Sequence, residues 1–448
     1  MTTNLAGMRV TVMGLGRFGG GAGVTRFLAS QGARVLVTDM SPESKLTDSI
    51  EEIADLVRAG SVTLRLGAHD ERDFTQTDLV VVNPAVPKPW DNALLKAAMA
   101  AGVSLTTEMK LLIERLPDRA RTVGITGSAG KSTTTAMIHA AVKAASPCVM
   151  GGNIGSSLLP VLNTITPKTV VVLELSSAML YWLGQLGGFS PATAVWTNLA
   201  PNHADWHGDH THYGHSKAQI LLHQRATDTA VMGAGPSSGI DAFHDLVKGR
   251  IIKVDRDTFP LPLSIPGAHN RLNASMALEA ACAALPGTPR ESLAKSIASF
   301  TGLPHRLQLV CTKLGVRYYN DSKCTTVDAL MQALGALAPN GEGLNKIHLI
   351  AGGYDKKVSL REVSALATKL AGLYTLGVTG PTIARDARAL GATNVHEAQT
   401  LRDVFALAKH NARPGDTVLL SPACASWDQY PNYEHRGEEF CTLAESIA

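Results

Sequence analysis

The stretch that most constrains this chain is Gly124-Ile-Thr-Gly127-Ser128-Ala129-Gly130-Lys131-Ser132-Thr133. It follows a short apolar run and opens a helical pattern. Glycines let the backbone turn tightly enough for its N–H groups to converge on an anion, and a helix N-terminus adds a favourable dipole. Lys131 brings a point charge, and the hydroxyl of Ser132 or Thr133 is placed to reach Mg²⁺ on a bound triphosphate. The motif is the short Gly-x-x-Gly-Lys-Ser form, because position 125, a glycine in the common P-loop, is isoleucine. A plain Gly/Ser turn between strand and helix is the alternative, and turn chemistry alone does not ask for Lys-Ser-Thr. Residues 127–133 are therefore the candidate ATP-binding loop.

At 448 residues the chain exceeds a single core, and two or three domains are expected. Net charge is only +3, with no basic tract or aromatic-basic stripe, so nucleic acid has no compositional support. The six cysteines are scattered without a Cys-x-x-Cys pair and read as reduced thiols. No apolar run is long enough to span a bilayer, and residues 1–7 lack the pattern of a secretion signal. A cytoplasmic protein without membrane insertion is expected.

In the first third, Met8-Arg-Val-Thr-Val-Met-Gly14-Leu15-Gly16 reads as a buried strand entering a glycine turn. Gly14, Gly16 and Gly19 fit Gly-x-Gly-x-x-Gly. A second strand, 33–38, ends at Asp39, where an acid commonly meets a ribose hydroxyl. NAD, another nucleotide or a purely structural βαβ turn all remain open on these residues. A third apolar run, 78–83, closes on Asn83-Pro-Ala-Val-Pro, a loop at a strand end. Such loops line the crevice of an open parallel sheet; Asn83 is a ligand contact or satisfies its own backbone.

In the middle third, residues 132–144 carry a helical pattern, and Gly151-Gly-Asn153-Ile-Gly155 is a second flexible turn. Val170-Val-Val-Leu-Glu174 is apolar enough to be buried on both faces. A carboxylate at its end is costly to bury without a partner. Mg²⁺ beside the loop supplies one; a salt bridge or a solvent-facing strand end is the alternative. Five histidines fall between 203 and 215, with no nearby cysteine and no His-Glu-x-x-His pattern to mark zinc. His203 and Asp205 stand out from them. Tyr213-Gly-His-Ser-Lys217 is expected to start a helix with Lys217 in its first turn, a misfit with the helix dipole that marks Lys217 for a task.

The ordered set Thr-Gly-Ser-Ala-Gly-Lys-Ser-Thr, Gly-Asn-Ile-Gly, Glu-Leu-Ser-Ser, Asn-x-x-x-x-His-x-Asp and Tyr-x-x-x-Lys-Ala resembles the Mur ligase family. These are ATP-dependent ligases that join amino acids to a carboxylate on peptidoglycan precursors or folates. The resemblance implies that Lys131 and Ser132 hold phosphate and Mg²⁺, and that Glu174 and His203 ligate Mg²⁺. It further implies that Lys217 is carbamylated and helps hold a second Mg²⁺. Lys131, His203 and Lys217 then form the catalytic set. The chain departs from the family at Ala129, where asparagine is usual, and at Asn202, where an acid is frequent.

The resemblance continues to the end of the chain. Gly-Ala-His-Asn270 is similar to an adenine-side motif and makes Asn270 an ATP contact, a helix N-cap being the alternative. Arg306, after Pro304-His305, implies a guanidinium on ATP phosphates. In Asn-Asp-Ser-Lys-Cys-Thr, Asp321 is assigned to the ribose, Lys323 to a phosphate or acyl group and Thr325 to the incoming amino acid. Lys356, Ser426 and Tyr433 complete the amino-acid site. Gly14, Leu15, Gly16, Asp39, Asn83 and Asn153 fall to the UDP-linked substrate. Within the family, Asn320-Asp-Ser-Lys-Cys-Thr325, Leu349-Ile-Ala-Gly-Gly-Tyr-Asp-Lys356 and Leu419-Leu-Ser-Pro-Ala-Cys-Ala-Ser-Trp-Asp-Gln-Tyr430 with Asn432-Tyr433 and Arg436-Gly437 together imply D-glutamate and UDP-N-acetylmuramoyl-L-alanine as substrates beside ATP. A folate-polyglutamylating relative and a non-catalytic nucleotide-binding protein are the alternatives.

The expected architecture is α/β in three domains. A Rossmann-like domain spans 1–107, a P-loop domain on a mainly parallel sheet spans 108–303, and a Rossmann-like domain spans 304–448. A monomer is expected.

Overall fold

The computed structural model describes residues 4–16, 19–234, 239–356 and 358–447. It contains three sheets. The first holds β1 (Arg9–Met13), β2 (Arg34–Asp39), β3 (Val62–Leu66), β4 (Leu79–Val82) and β5 (Ser104–Thr106) in the order 3-2-1-4-5, all parallel. The order reverses between β1 and β4, the switch point at which ligands bind an open sheet. The Gly14 loop after β1 and the Asn83 loop after β4 flank that point.

The second sheet holds β6 (Thr122–Thr126), β7 (Cys148–Gly152), β8 (Val170–Glu174), β9 (Thr193–Trp196), β10 (Thr229–Gly233) and β11 (Arg250–Val254) in the order 11-10-9-6-8-7. It is parallel throughout. Its central strands β6, β8 and β9 are buried at every position, as expected where helices cover both faces. Strand β6 pairs with β8 on one side and β9 on the other. The P-loop after β6, Glu174 at the end of β8 and the segment after β9 therefore emerge side by side.

The third sheet holds β12 (Gln308–Lys313), β13 (Val316–Asn320), β14 (Ile347–Gly352), β15 (Gly372–Leu376), β16 (Val395–Glu397) and β17 (Thr417–Leu420) in the order 12-13-17-14-15-16. Only β12 runs antiparallel to its neighbour. Separate apolar clusters cover its faces, one around Leu349, Leu373 and Leu419, the other around Ile350, Tyr374 and Leu420.

The chain forms two compact units, residues 1–261 with 272–297 and residues 262–271 with 298–448. The first contains the first two sheets, whose cores merge through Val10, Leu28, Leu173 and Trp196. Among the described residues no helix is long and apolar enough to cross a membrane. All six cysteines are free.

One expectation is corrected. The helix carrying Lys217 begins at His210, because the Asp209 side chain accepts from the His212 N–H and caps it. Lys217 lies beyond the first turn, so the dipole argument for it fails; its significance comes from burial instead.

Candidate active site

Gly130 takes the left-handed conformation (φ 80°, ψ −11°) and hands the chain into the helix Lys131–Lys143. The loop is braced from behind by the segment after β9. Asn198 accepts from the Ala129 N–H at 2.9 Å, and its Nδ2 donates to the Ala129 carbonyl at 3.2 Å. Thr197 donates its hydroxyl to the same carbonyl at 2.6 Å. A Cβ on Gly127 would lie 1.9 Å from Thr197 Oγ1, so only glycine permits this approach. The Ser128 hydroxyl meets Tyr213 Oη at 3.0 Å.

Two lysines converge on the loop. Lys131 Nζ donates to the carbonyls of Gly127 at 3.0 Å and Ser128 at 3.3 Å. Lys217 Nζ donates to the same Gly127 carbonyl at 2.8 Å and lies 4.6 Å from the Tyr213 ring centroid. Lys217 is only 1 % exposed. Burial first, then the Lys131 ammonium, push its amine well below the ordinary lysine range, against the pull of Glu174.

Glu174 is likewise 1 % exposed. Its Oε1 accepts from Asn153 Nδ2 at 2.9 Å, while its buried Oε2 has no hydrogen-bond partner. A buried carboxylate oxygen without a donor is costly unless a cation meets it. Together with the Ser132 hydroxyl at the helix start, it fits a hard cation that takes oxygen ligands. His203 sits in a left-handed turn (φ 53°) ahead of the short helix Ala204–His207. Burial, then the charges of Lys131 and Lys217, depress its pKa, so it senses both lysines. Among the described residues no three His, Cys, Asp or Glu side chains are disposed as a metal-holding group. The expected set is of another kind, built on a serine hydroxyl and a modified lysine.

The first glycine loop is organised by a carboxylate. Asp39 accepts from the Gly16 N–H at 3.1 Å and from the Ser41 N–H at 2.7 Å. Asn83 Oδ1 accepts from the Ala85 N–H at 2.9 Å, satisfying its own loop, and its amide closes over Gly14. Leu15 is buried. Asn153, expected at the UDP-linked substrate, donates its Nδ2 to Glu174. A cavity of about 60 Å³ beside this loop is lined by Gly14, Gly20, Gly21, Asn83 and Glu108.

In the second unit, His305 and Leu307 both take left-handed backbone conformations (φ 60° and 44°) around Arg306. Asp321 holds that turn: Oδ1 accepts from the Leu307 N–H at 3.0 Å and Oδ2 from Ser421 Oγ at 2.7 Å. Burial raises its pKa to about 6. Arg306 Nε is buried without a partner. Asn270 is not an N-cap; it lies inside the helix Ala268–Ala284 and donates Nδ2 to the Pro266 carbonyl at 2.6 Å.

The residues expected to receive the amino acid make the following contacts. Lys356 Nζ donates to the Thr325 carbonyl at 3.3 Å and lies 5.6 Å from the Trp427 ring centroid. Lys323 Nζ lies 5.3 Å from the Tyr433 ring centroid. Ser426 Oγ is buried with no hydrogen-bond partner. Beneath them Arg436, 1 % exposed, donates to Ser322 Oγ at 3.0 Å and to the carbonyls of Ser322 at 2.8 Å and Cys424 at 3.1 Å. A cavity of about 660 Å³ lies elsewhere in this unit, lined by Asp355, Arg361, Thr382 and Asp386 among others, and none of the expected amino-acid contacts lines it.

Two asparagines given no role of their own from sequence also support the loop. Asn198 backs the P-loop, and Asn273 lies so close to Gly130 that a Cβ there would come within 2.6 Å of its Oδ1. Asn198 is the first residue of the Asn-x-x-x-x-His-x-Asp set, which is the signal the sequence offers for it.

Comparison with known proteins matches three family models in chain order. Residues 8–107 match the Mur ligase MurD-like N-terminal domain, 125–239 the Mur ligase middle domain and 305–424 the Mur ligase glutamate ligase domain. The chain is 36% identical to UDP-N-acetylmuramoylalanine--D-glutamate ligase of Roseiflexus sp. (strain RS-1), covering 99% of both chains. It is also 36% identical to the enzyme of that name from Pelotomaculum thermopropionicum, covering 98% of both. Among solved structures, UDP-N-acetylmuramate-alanine ligase MurC from Thermotoga maritima superposes with a TM-score of 0.59 at 19% identity, over 98% of this chain and 99% of that one. Mycobacterium tuberculosis folylpolyglutamate synthase does so with a TM-score of 0.54 at 15% identity, over 74% and 94%. Both of these likenesses bear on the fold alone.

Proposed function

The chain belongs to the Mur ligase family, and on that premise we propose that it joins D-glutamate to UDP-N-acetylmuramoyl-L-alanine at the expense of ATP, in cytoplasmic synthesis of peptidoglycan precursor. The observation that carries the chemistry is the meeting of Lys131 and Lys217 on one carbonyl, beside an acid with an unpartnered oxygen.

Bound ATP and Mg²⁺ supply the activated phosphoryl group and the charge that lets a carboxylate accept it. The amides of 130–133, at the start of the P-loop helix, and the Lys131 side chain hold the phosphates, while those of Ser128 and Ala129 are tied to Asn198. Ser132, Glu174 and His203 hold the metal. Lys217, whose buried amine is held toward its neutral form, would add CO₂ with loss of a proton to solvent, and the resulting carbamate would offer an anionic oxygen to a second ion. Asn153 holds the Glu174 carboxylate by Oε1, and among the described residues Oε2 has no hydrogen-bond partner. Arg306, projected by the Asp321-locked turn, and Asn270 contact ATP.

The substrate carboxylate becomes an acyl phosphate. The glutamate amine attacks its carbonyl carbon, and phosphate leaves from the tetrahedral intermediate. Lys356, Thr325, Ser426 and Tyr433 receive the glutamate, and Lys323 offsets charge on the acyl phosphate. Gly14, Leu15, Gly16, Asp39 and Asn83 receive the UDP moiety. The division into domains 1–107, 108–303 and 304–448, each serving one substrate, is part of this reading, as is action as a monomer.

The test is ADP release with UDP-N-acetylmuramoyl-L-alanine and each glutamate enantiomer. Turnover with D-glutamate, and none with L-glutamate or a folate acceptor, is expected; turnover with folate and L-glutamate contradicts the reading.

A further inference from the structure

Trp206 lies three residues past His203, in the helix Ala204–His207, and is 7% exposed. Its indole Nε1 donates to the Pro84 carbonyl at 3.1 Å, and its own carbonyl accepts from the Lys88 N–H at 3.3 Å. Both bonds reach the loop that follows β4, across more than a hundred residues of chain. Lys88 is a non-glycine residue in the left-handed region (φ 43°), as His203 is (φ 53°). Such backbone persists only where its surroundings over-determine it.

The indole is seated in a block of rings. Trp90 lies 5.6 Å from it between centroids and Tyr181 5.5 Å, both edge-on, with His207 at 4.4 Å. Trp90 in turn packs on His212 at 4.5 Å. His207 Nε2 meets Ser177 Oγ at 2.9 Å and its Nδ1 meets His212 Nδ1 at 2.9 Å. Ser177 begins the helix that follows Glu174 and β8. The Trp206 side chain, on the segment that carries His203, thus meets the loop at the end of β4 through Pro84 and Trp90 and the helix Ser177–Gln185 through Tyr181, while its neighbour His207 reaches the start of that helix at Ser177.

We propose that Trp206 is a positioning residue that fixes the 83–90 loop in the form that receives the UDP-linked substrate, and registers that loop against the His203 turn. The proposal rests on the functional reading above, because it takes the β4 loop as part of the UDP-substrate site. A core tryptophan without this role would contribute apolar burial only, and its N–H would be dispensable.

Trp206→Phe separates the two, since phenylalanine keeps an aromatic body but removes the donor to Pro84. The expected result is a rise of about five-fold in KM for the UDP-linked substrate, the scale of one lost hydrogen bond. KM for ATP and for glutamate should stay within about two-fold, with kcat little changed. Hydrogen exchange of the peptide covering 84–92 should quicken by about five-fold, while that of the P-loop helix holds. Unchanged exchange at 84–92 overturns the proposal, whatever the substrate proves to be. So does an unchanged KM for the UDP-linked substrate, or an equal rise in all three KM values, in a wild-type enzyme that turns over. If wild type releases no ADP with that substrate, the functional reading fails, and the exchange measurement still decides whether Trp206 holds the loop.

Discussion

The chain builds nearly the same backbone device twice. After β1, Gly19 (φ 78°, ψ −17°) leads into the helix Gly20–Ser30; after β6, Gly130 (φ 80°, ψ −11°) leads into Lys131–Lys143. Among the described residues neither helix has a side-chain cap, and both present the positive end of a dipole. What differs is the chemistry around them. The first loop is gathered by the carboxylate of Asp39, the second by the ammonium groups of Lys131 and Lys217 beside the open oxygen of Glu174. Backbone geometry makes an anion site; the side chains around it decide whether it also performs chemistry. The first loop is thus suited to hold a diphosphate at rest, the second to hold one whose charge moves.

The largest effect should follow from breaking the second loop. Lys131→Ala is expected to lower turnover by about 10³-fold. ADP release near the wild-type rate would show that the two loops differ in decoration only. Next comes Lys217→Ala, expected to lose about 10²-fold. Part of that activity should return when a short carboxylic acid such as formate is added, because it replaces the missing oxygen ligand; absence of rescue argues against carbamylation.

A sharper form of the comparison exchanges the one acid beside each loop, Glu174 at the end of β8 and Asp39 at the end of β2. Glu174→Gln should raise the Mg²⁺ concentration needed for half-maximal rate by about ten-fold. Asp39→Asn should leave that concentration unchanged and raise KM for the UDP-linked substrate. Equal Mg²⁺ dependence in the two variants would erase the distinction. Smaller again are the glycines. Among the described residues a Cβ on Gly19 meets nothing within 4 Å, and Gly19→Ala should cost about 1 kcal/mol from the left-handed backbone. Gly130→Ala adds the contact with Asn273 and should melt lower; equal melting temperatures would mean that Asn273 yields freely.

The smallest effect concerns pH. Burial, then the neighbouring His212, pushes His207 down to about 4 from an ordinary 6.5. The unfolded chain takes up a proton near 6.5 and the native state only near 4, so stability is full above 6.5 and lost as pH falls toward 4. His207→Gln should flatten the melting-temperature profile across that window, and an unaltered slope would assign the loss to other groups.

Much of this was legible in the sequence because the signals are local. A glycine loop between an apolar run and a helical pattern is written in consecutive residues, and Val-Val-Val-Leu-Glu174 announces a doubly covered strand with an acid at its tip. What was not legible depends on long-range approach. Nothing near Trp206 points to Pro84, and nothing near Asn273 points to Gly130. Asn153 reads as a loop asparagine until β7 pairs with β8 and carries it onto Glu174. Lys217 shows the limit most plainly: its helix starts earlier than the pattern suggested, and its depth follows from packing that no local spacing records.

The central claim is that the loop at Gly127–Lys131 cradles a triphosphate while Glu174 holds its metal. The direct measurement is a crystal structure with Mn²⁺ and a non-hydrolysable ATP analogue, the ion located by its anomalous signal. The account predicts the ion within ligating distance of Glu174 Oε2, with the phosphates on the amides of residues 130–133. A nucleotide bound elsewhere, or an ion with no contact to Glu174, contradicts it.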